Sequence, residues 1–399
     1  MKILVITYNF SPSSIIGAKR WTDFYNLSRR DEDVNMTVLT SNSKGEKVLK
    51  ENIHYIGKEH SFNGSSSFQR KLGLLDFFRH PTIFIRSIDR SIFLPWIKEC
   101  KNWINLNSQN KYDLILSSYG PSASIIIGNH AKKVFRVPYV LDLRDLISIQ
   151  GQKKRLPIIH QLDKIYDKFL TRKIDQFLTV SPKCNVKAKA FYKKEATLIY
   201  NGFENELNLT HMDLSINDKQ NLNILYMGTL GNNRNPKKII CILNQYAQKK
   251  PLVKISLSFA SRDNPMDFIN DKDQSHIIIN RLGYLSREDL AIEKERCNIF
   301  LLLEDQTQKG DENLTGKIYE YFEEEKPILV SCSNTSDIGK IVRETNTGSI
   351  VSSIQELELF IQSKREREND ECRKYSRTNQ YFNLKKSLSL FLNKQTQNN

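Results

Sequence analysis

The run KILVITY (Lys2–Tyr8) opens the chain, and a similar run, LNILYM (Leu222–Met227), begins its second half. Both runs are short and apolar, and neither alternates cleanly between apolar and polar residues. This pattern is typical of parallel strands that are buried on both faces of a sheet. The sequence therefore predicts two α/β domains, each of which begins with a buried strand.

Further strand-like runs follow each opening strand, separated by spacers that are long enough for crossover helices. In the first series these runs are Asn35–Thr40, Tyr112–Ser118, Val137–Leu143, Asp175–Val180 and Thr197–Tyr200. In the second series they are Val253–Phe259, Ser275–Asn280, Asn298–Glu304, Pro327–Ser331 and Gly348–Ser352. Helices are predicted at Pro236–Gln248, Arg287–Cys297 and Lys317–Glu325. Two such series predict two Rossmann-like, doubly wound parallel-sheet domains that face a central cleft.

The length of the chain, 399 residues, also favours two domains, because a single hydrophobic core rarely grows so large. We place the N-terminal domain at residues 1–205 and the C-terminal domain at residues 206–375. Residues 376–399 are predicted to form a C-terminal helix that packs back on the N-terminal domain.

The net charge of +15 is unevenly distributed along the chain. Residues 1–205 hold 33 Lys and Arg against 18 Asp and Glu, whereas residues 206–399 carry equal numbers of both signs. The asymmetry predicts an anionic partner for the first half: a membrane surface, a phosphorylated acceptor or a nucleic acid.

The cysteines and the N-terminus are those expected of a cytoplasmic protein. None of the six cysteines forms a Cys-x-x-Cys pair, so neither a zinc knuckle nor a disulfide framework is indicated. The opening apolar run is too short for a signal peptide, and no stretch is long enough to span a membrane. The acidic turns Asp31–Asp33 and Asp271–Asp273 do not end apolar strands, so we predict no metal site.

The segment ENLTGKIYEY (Glu312–Tyr321) carries the strongest chemical signal. Thr315 is suited to cap a helix, and Gly316 allows a ligand to approach the backbone closely. The free N–H groups of a first helical turn attract a phosphate, and the ammonium of Lys317 adds a positive charge there.

Two acids accompany this predicted phosphate site. Glu320 lies three residues after Lys317, on the same helix face, and Glu312 lies eight residues before Glu320. A carboxylate beside a phosphate is repelled unless it binds hydroxyls, such as those of a ribose. The segment therefore predicts a pocket for a nucleotide sugar; the alternative is a capped surface helix with an ion pair.

Other candidate residues follow predicted strands. Gly228 and Arg234 come after the first strand of the second series, where Arg234 is placed to neutralise the same diphosphate as Lys317. Gly17 and Arg20 follow the first strand of the chain and are candidates to hold an anion, although a plain loop with a basic helix explains them equally well.

The run DLRD (Asp142–Asp145) ends a predicted strand of the basic domain. Asp142 and Asp145 are placed to contact an acceptor hydroxyl, and Arg144 either assists them or only neutralises them. A structural Asp–Arg pair remains the alternative.

An insertion at about residues 66–104 combines basic and apolar residues. Within Phe68–Lys98, the residues Arg86, Arg90 and Trp96 are typical of an amphipathic segment that contacts an anionic bilayer. A helical insertion that packs in the core, with a solvated basic face, is the alternative.

The chain resembles the GT-B retaining glycosyltransferases of the family 4 type, and among them the bacterial enzymes that build surface polysaccharides. The most specific block is Leu-Thr-Gly-Lys-x-x-Glu-Tyr at Leu314–Tyr321, followed by Lys-Pro-Ile-Leu at Lys326–Leu329. Further matching blocks are Met1–Trp21, Ser117–Pro121, Val140–Asp145, Thr179–Ser181, Tyr200–Phe203, Leu225–Pro236 and Arg281–Leu303.

The resemblance implies a nucleotide-diphosphate sugar as co-substrate, with no cofactor and no metal. It implies that Glu320 holds the donor ribose, that Glu312 faces the sugar, and that Arg234 and Lys317 bind the diphosphate. Gly228, Gly316 and Thr315 would line the donor site. The acceptor is expected to be a glycan or a polyprenyl-diphosphate-linked sugar on the inner face of the cell membrane, in the synthesis of a capsule, O-antigen or exopolysaccharide.

Two alternative functions are open at this point. A GT-B 2-epimerase would keep the fold, although no pair of histidine and carboxylate stands out for that chemistry. A basic nucleic-acid-binding protein would fit the charge and the aromatic content, but it leaves Lys317 and Glu320 unexplained.

Overall fold

The computed structural model of the protein describes residues 1–13, 16–41, 52–57, 93–149, 157–204, 213–231, 234–270, 274–304, 314–324 and 326–397. The chain forms two compact units. Unit 1 comprises residues 1–201 and 377–399, and unit 2 comprises residues 202–376.

Unit 1 is built on a seven-stranded parallel sheet in the order β3-β2-β1-β4-β5-β6-β7. Its strands are β1 (Lys2–Ile6), β2 (Asn35–Ser41), β3 (Ile53–Ile56), β4 (Leu114–Ser118), β5 (Tyr139–Leu143), β6 (Gln176–Thr179) and β7 (Ala196–Leu198). The central strands are buried along their whole length, as their apolar sequences predict. The order reverses between β1 and β4, which makes their carboxyl ends the switch point of this sheet.

Helices cover both faces of this sheet. They are α1 (Ile16–Ser28), α2 (Leu94–Leu106), α3 (Ala123–Phe135), α4 (Pro157–Thr171) and α5 (Pro182–Tyr192). One core lies between the sheet and α2, α3 and α5, and the other lies between the sheet and α1.

Unit 2 repeats the arrangement with a six-stranded parallel sheet in the order β10-β9-β8-β11-β12-β13. Its strands are β8 (Asn221–Met227), β9 (Lys254–Ala260), β10 (Ile278–Arg281), β11 (Ile299–Leu303), β12 (Ile328–Ser331) and β13 (Gly348–Ile350). Its helices are α6 (Lys237–Lys249), α7 (Arg287–Arg296), α8 (Lys317–Phe322), α9 (Asp337–Glu344), α10 (Ile354–Gln362) and α11 (Asn369–Arg373). The switch point of this sheet lies between β8 and β11.

The observed strands confirm the predicted fold class. All twelve strands predicted from apolar runs are present within a few residues of their predicted bounds. The sequence analysis missed β3, because its sequence, IHYI, is short and only half-buried at the edge of the sheet.

The last helix of the chain, α12 (Arg377–Gln397), belongs to unit 1 and packs against α1. The Lys385 ammonium binds the carboxylates of Asp31 at 2.8 Å and Asp33 at 2.7 Å. The Tyr381 hydroxyl donates a hydrogen bond to Asp31. The carboxylates of the acidic turn after α1 are therefore bound by side chains of the C-terminal helix.

The described part of the basic insertion lies in the core. Helix α2 buries Trp96, Ile97, Cys100 and Ile104, and the Trp96 ring meets the Tyr8 ring edge to face at a centroid distance of 5.0 Å. Because the Trp96 side chain is 5% exposed, the prediction that it contacts a membrane is not supported. Arg86 and Arg90 lie outside the described residues. Within the described part of the chain, none of the helices has the length and apolarity that crossing a membrane requires.

Candidate functional site

The candidate site of unit 2 lies at the switch point of its sheet. Gly228 follows β8 directly and has a φ of +128°, a conformation that a residue with a Cβ atom rarely adopts. Glu304 follows β11, the neighbouring strand. Ligands of doubly wound sheets bind at such carboxyl ends, so this is where a donor pocket is expected.

The Lys317 side chain extends from the start of α8 to this edge. A Cβ atom added to Gly228 would lie 1.6 Å from the Lys317 ammonium, so only glycine leaves room for that ammonium. The ammonium also lies over the Tyr226 ring, 5.0 Å from its centroid, in a cation–π contact. Among the described residues, Lys317 makes no salt bridge.

Arg234 brings a second positive charge to the same edge. Its guanidinium lies 3.5 Å from the Glu304 carboxylate and donates a hydrogen bond to the Thr229 hydroxyl at 3.2 Å. The Tyr226 hydroxyl donates to the Thr229 carbonyl at 2.6 Å. These contacts fix the loop after β8 and orient the Arg234 guanidinium.

The two cations influence each other. Burial and, to a smaller extent, the neighbouring Arg234 lower the pKa of Lys317, while Glu304 and Glu320 oppose the shift, so that the pKa is about 8. The ammonium is therefore held in a place where its charge is only partly compensated. An anionic ligand bound here would relieve the repulsion between Lys317 and Arg234.

The start of α8 differs from the prediction. Gly316 is the residue that precedes the helix, and no side chain caps it, so the predicted capping by Thr315 is wrong. Since α8 has only six residues, the positive charge of this edge comes from the Lys317 and Arg234 side chains rather than from a helix terminus.

Of the two acids predicted for the ribose and the sugar, the structure describes Glu320. Glu320 is on α8, one turn after Lys317, and its side chain is exposed to solvent. Glu312 lies outside the described residues. The acid that sequence reasoning missed is Glu304, which is 7% exposed and pairs with Arg234. Its position at the end of an apolar strand adjacent to β8 is the signal that would have identified it.

The carboxyl edge of the sheet in unit 1 brings Gly17 and Arg144 together. A Cβ atom added to Gly17 would lie 1.4 Å from the Arg144 guanidinium, so Arg144 lies directly on the backbone of α1. The guanidinium also donates a hydrogen bond to the Tyr119 carbonyl at 2.9 Å. Asp145, the next residue, is exposed.

Asp142 and Arg20 lie below this edge and are both fully buried. Arg20 lies 3.4 Å from the Asp142 carboxylate and donates to the Ile199 carbonyl at 2.9 Å. Asp142 also accepts hydrogen bonds from the Trp21 indole at 2.8 Å and from the Ser118 hydroxyl at 3.2 Å. Neither side chain reaches the surface, so a structural role replaces the predicted catalytic role of Asp142 and the predicted acceptor or membrane role of Arg20.

The described residues contain no group of three or more His, Cys, Asp and Glu side chains arranged to hold a metal ion. The histidines that are described lie apart from both carboxyl edges discussed above.

Comparisons with known proteins identify solved structures of the same fold. No protein-family model matches the chain, and no curated protein matches it. The lipopolysaccharide outer core galactosyltransferase WaaB is 12% identical, with a TM-score of 0.57, over 97% of this chain and 99% of that one. Sucrose-phosphate synthase from Thermosynechococcus elongatus is 11% identical, with a TM-score of 0.55, over 98% and 99%.

A third structure, Anabaena HepE in complex with UDP and glucose, is 13% identical, with a TM-score of 0.50, over 98% of this chain and 99% of that one. At these identities the likeness concerns the fold alone. Together with the two parallel sheets, it shows that the chain has the GT-B fold of two Rossmann-like domains.

Proposed function

We propose that this protein is a glycosyltransferase that transfers a sugar from a nucleotide-diphosphate donor to a glycan or a polyprenyl-diphosphate-linked acceptor. The observation that carries the proposal is that Lys317, which lies against Gly228, and Arg234, which contacts Thr229, lie close together at the switch point of unit 2. Two neighbouring cations whose charge is only partly compensated suit a diphosphate better than a neutral ligand.

The solved structures of the same fold support a nucleotide-sugar donor. Two structures of Anabaena HepE, both with a TM-score of 0.50, hold UDP with glucose and UDP-glucose. WaaB is a galactosyltransferase by name. We infer from them only the class of donor, because sequence identities of 12–14% are too low to match individual site residues.

In the proposed reaction the acceptor hydroxyl oxygen forms a bond to the anomeric carbon while the bond from that carbon to the donor phosphate breaks. Lys317 and Arg234 stabilise the charge that develops on the departing nucleoside diphosphate. The leaving phosphate takes the proton of the acceptor hydroxyl, so no protein nucleophile is required, and the anomeric configuration is retained. Trapping a glycosyl-enzyme adduct would refute this step.

The remaining predicted residues have supporting roles in this proposal. Glu320 binds the ribose hydroxyls, and Glu312 faces the donor sugar. In unit 1, Arg144 and Asp145 bind the acceptor, with Gly17 leaving the space that Arg144 occupies. The acceptor belongs to surface-polysaccharide synthesis on the cytoplasmic face of the membrane, where the basic unit 1 meets anionic lipid.

A thermal-shift panel tests the proposal directly. UDP, GDP, ADP, CMP and their sugars are added to the wild-type protein and to the variants Lys317→Ala, Glu320→Gln and Lys340→Ala, the last of which removes an exposed lysine of the same unit. A ligand at a hundredfold excess over its dissociation constant stabilises the folded state by about 2.7 kcal/mol. We expect one nucleotide to stabilise the wild type and Lys340→Ala but not Lys317→Ala.

Failure of every nucleotide and sugar nucleotide to stabilise the wild-type protein would contradict the proposal. Incubation of the protein with the donor alone, followed by product analysis, separates a transferase from a 2-epimerase, because only the epimerase converts the sugar nucleotide without an acceptor.

A further inference from the structure

Helix α4 of unit 1 exposes a continuous apolar stripe. Ile158, Leu162, Ile165 and Phe169 are 77%, 41%, 65% and 58% exposed, respectively. Their spacing of four, three and four residues places all four on one side of the helix. Isolated exposed apolar residues are common, whereas a stripe of four large ones indicates a surface that binds a membrane or another molecule.

The acidic residues of α4 point away from this stripe. Asp163 and Asp167 are fully buried on the opposite side of the helix. Asp167 accepts hydrogen bonds from the Ser148 hydroxyl at 2.6 Å and from the Tyr192 hydroxyl at 2.9 Å. The exposed side of α4 therefore carries no carboxylate. Lys168 is exposed beside the apolar residues, with its ammonium 4.9 Å from the centroid of the Phe191 ring, and Lys164 is half-buried.

A cationic cavity adjoins the C-terminal end of the stripe. The cavity has a volume of about 320 Å³ and is lined in part by Phe169 and Leu170 of α4. Its basic lining residues are Lys101, His130, Lys133, Arg172 and Lys173, and none of the lining residues that the structure describes is acidic. The Arg172 guanidinium lies over the Phe169 ring, 4.3 Å from its centroid, and thus joins the cavity to the stripe.

We propose that this surface, the α4 face, docks on an anionic phospholipid bilayer. The four apolar side chains enter the boundary between headgroups and acyl chains, Lys164 and Lys168 lie among the headgroups, and the cationic cavity binds a lipid phosphate. The α4 face is defined by Ile158, Leu162, Ile165, Phe169, Lys164, Lys168 and the cavity.

The charge of the α4 face selects this occupant over a second copy of the chain. In a symmetric dimer the same surface meets itself, so the lysines and arginines of one copy would face those of the other without a carboxylate between them. An anionic bilayer complements both the stripe and the charges. This proposal takes from the proposed function only the idea that the protein contacts a membrane. It places that contact on α4 rather than on Phe68–Lys98.

Vesicle cosedimentation tests the apolar part of this face. The double variant Ile165→Gln/Phe169→Gln is compared with the wild type on vesicles of phosphatidylcholine with and without phosphatidylglycerol. We expect the wild type to bind only the anionic vesicles and each substitution to weaken binding by roughly tenfold, since each removes an apolar side chain from the bilayer. The control is Phe382→Gln on α12, where the ring is 57% exposed, and it should bind as the wild type does.

The charge of the face is tested in the same assay with Lys168→Gln/Arg172→Gln. Removal of each charge should lower binding to anionic vesicles by roughly fivefold, and raised salt should reproduce that loss. The control Lys237→Gln/Lys238→Gln removes two exposed charges at the start of α6 in unit 2 and should leave binding unchanged.

Three results would overturn the proposal. The first is that the wild type does not bind anionic vesicles, and the second is that Ile165→Gln/Phe169→Gln binds them as tightly as the wild type. The third is that the wild type sediments as a dimer whereas Ile165→Gln/Phe169→Gln sediments as a monomer. The last result would assign the α4 face to a protein interface. Circular dichroism confirms that each variant is folded, and nucleotide thermal shifts on the same samples show whether the donor site fails independently of the vesicle contact.

Discussion

The two units use cations at the carboxyl edges of their sheets in opposite ways. In unit 1, Arg20 is fully buried against Asp142, and carbonyl groups accept its remaining hydrogen bonds. In unit 2, Lys317 and Arg234 share one partly exposed edge, and Lys317 makes no salt bridge among the described residues. The proposed ligand-binding cations are thus those whose charge the described residues match only in part.

The difference has a physical basis in the number of compensating groups. Asp142 accepts hydrogen bonds from Arg20, Trp21 and Ser118, so side chains of unit 1 compensate the charge of the Asp142 carboxylate. In unit 2, Glu304 is the acid that pairs with Arg234, and the Lys317 ammonium has its pKa lowered because it is desolvated beside another cation. We expect substitutions in the first region to affect stability and those in the second to affect activity.

The largest effect should come from Asp142→Asn, which leaves the Arg20 guanidinium buried without its carboxylate partner. Breaking one half of a buried ion pair costs about 3–5 kcal/mol, so the free energy of unfolding should fall by that amount in a urea titration. The control is Asp145→Asn, an exposed acid at the same edge, for which a change of about 0.5 kcal/mol or less is expected. Equal stability of the two variants would contradict the structural role of Asp142.

The second effect concerns Lys317→Ala, which removes the positive charge from the leaving-group side of the proposed reaction. Loss of one such stabilising group lowers kcat/KM by roughly 10²–10³-fold. The urea midpoint at pH 7 should stay the same or rise, because the variant no longer desolvates an ammonium beside another cation. If the variant lost stability and kept its activity, the contrast between the two units would be reversed.

The pH dependence provides a third test. Because the pKa of Lys317 is lowered to about 8, the ammonium loses its proton between pH 7 and 9, and nucleotide affinity should fall about tenfold over that range. The free energy of unfolding, in contrast, should rise with pH. Between pH 8 and 10 the unfolded chain holds the proton that folded Lys317 has released, so the free energy of unfolding of the wild type rises relative to Lys317→Ala.

Isothermal titration of the nucleotide at each pH measures the affinity, and urea titrations of both proteins measure the stability. A nucleotide affinity that stays constant from pH 7 to 9 would show that Lys317 does not contact the ligand.

The smallest expected effect is that of Arg234→Lys, which keeps the charge but loses the planar guanidinium that contacts both Glu304 and Thr229. Loss of about one hydrogen bond corresponds to roughly a fivefold weakening of nucleotide binding, measured by titration calorimetry. The matched substitution Arg262→Lys, in the loop after β9 of the same unit, controls for the general effect of replacing an arginine.

Much of the fold was predictable because buried parallel strands have a local signature. Runs such as Leu222–Met227 are apolar without alternation, and the structure places a strand at each predicted run. The edge strand β3 lacks that signature, since Ile53–Ile56 is only half-buried, and pairing with β2 determines its conformation.

The candidate site was only partly predictable. Gly228, Arg234 and Lys317 were identified because each follows a strand or begins a helix, and the parallel topology brings such positions to one edge. Sequence spacing gave no measure of burial, so Asp142 and Arg20 were assigned to a surface that they do not reach. Sequence spacing also gives no spatial distances, so it did not identify Glu304, which forms an ion pair with Arg234.

Local sequence patterns were enough to predict the two β/α series, their approximate strand positions, the excess positive charge of the first half and the candidate residues Lys317 and Arg234. Which of the charges are neutralised depends on the folded packing. Side chains far apart in the chain, such as Arg20 and Asp142, are paired by the packing of α1 against the sheet, whereas local patterns record only which face of an element is apolar. The exposed stripe of α4 illustrates the same limit, because exposure depends on what the rest of the fold covers.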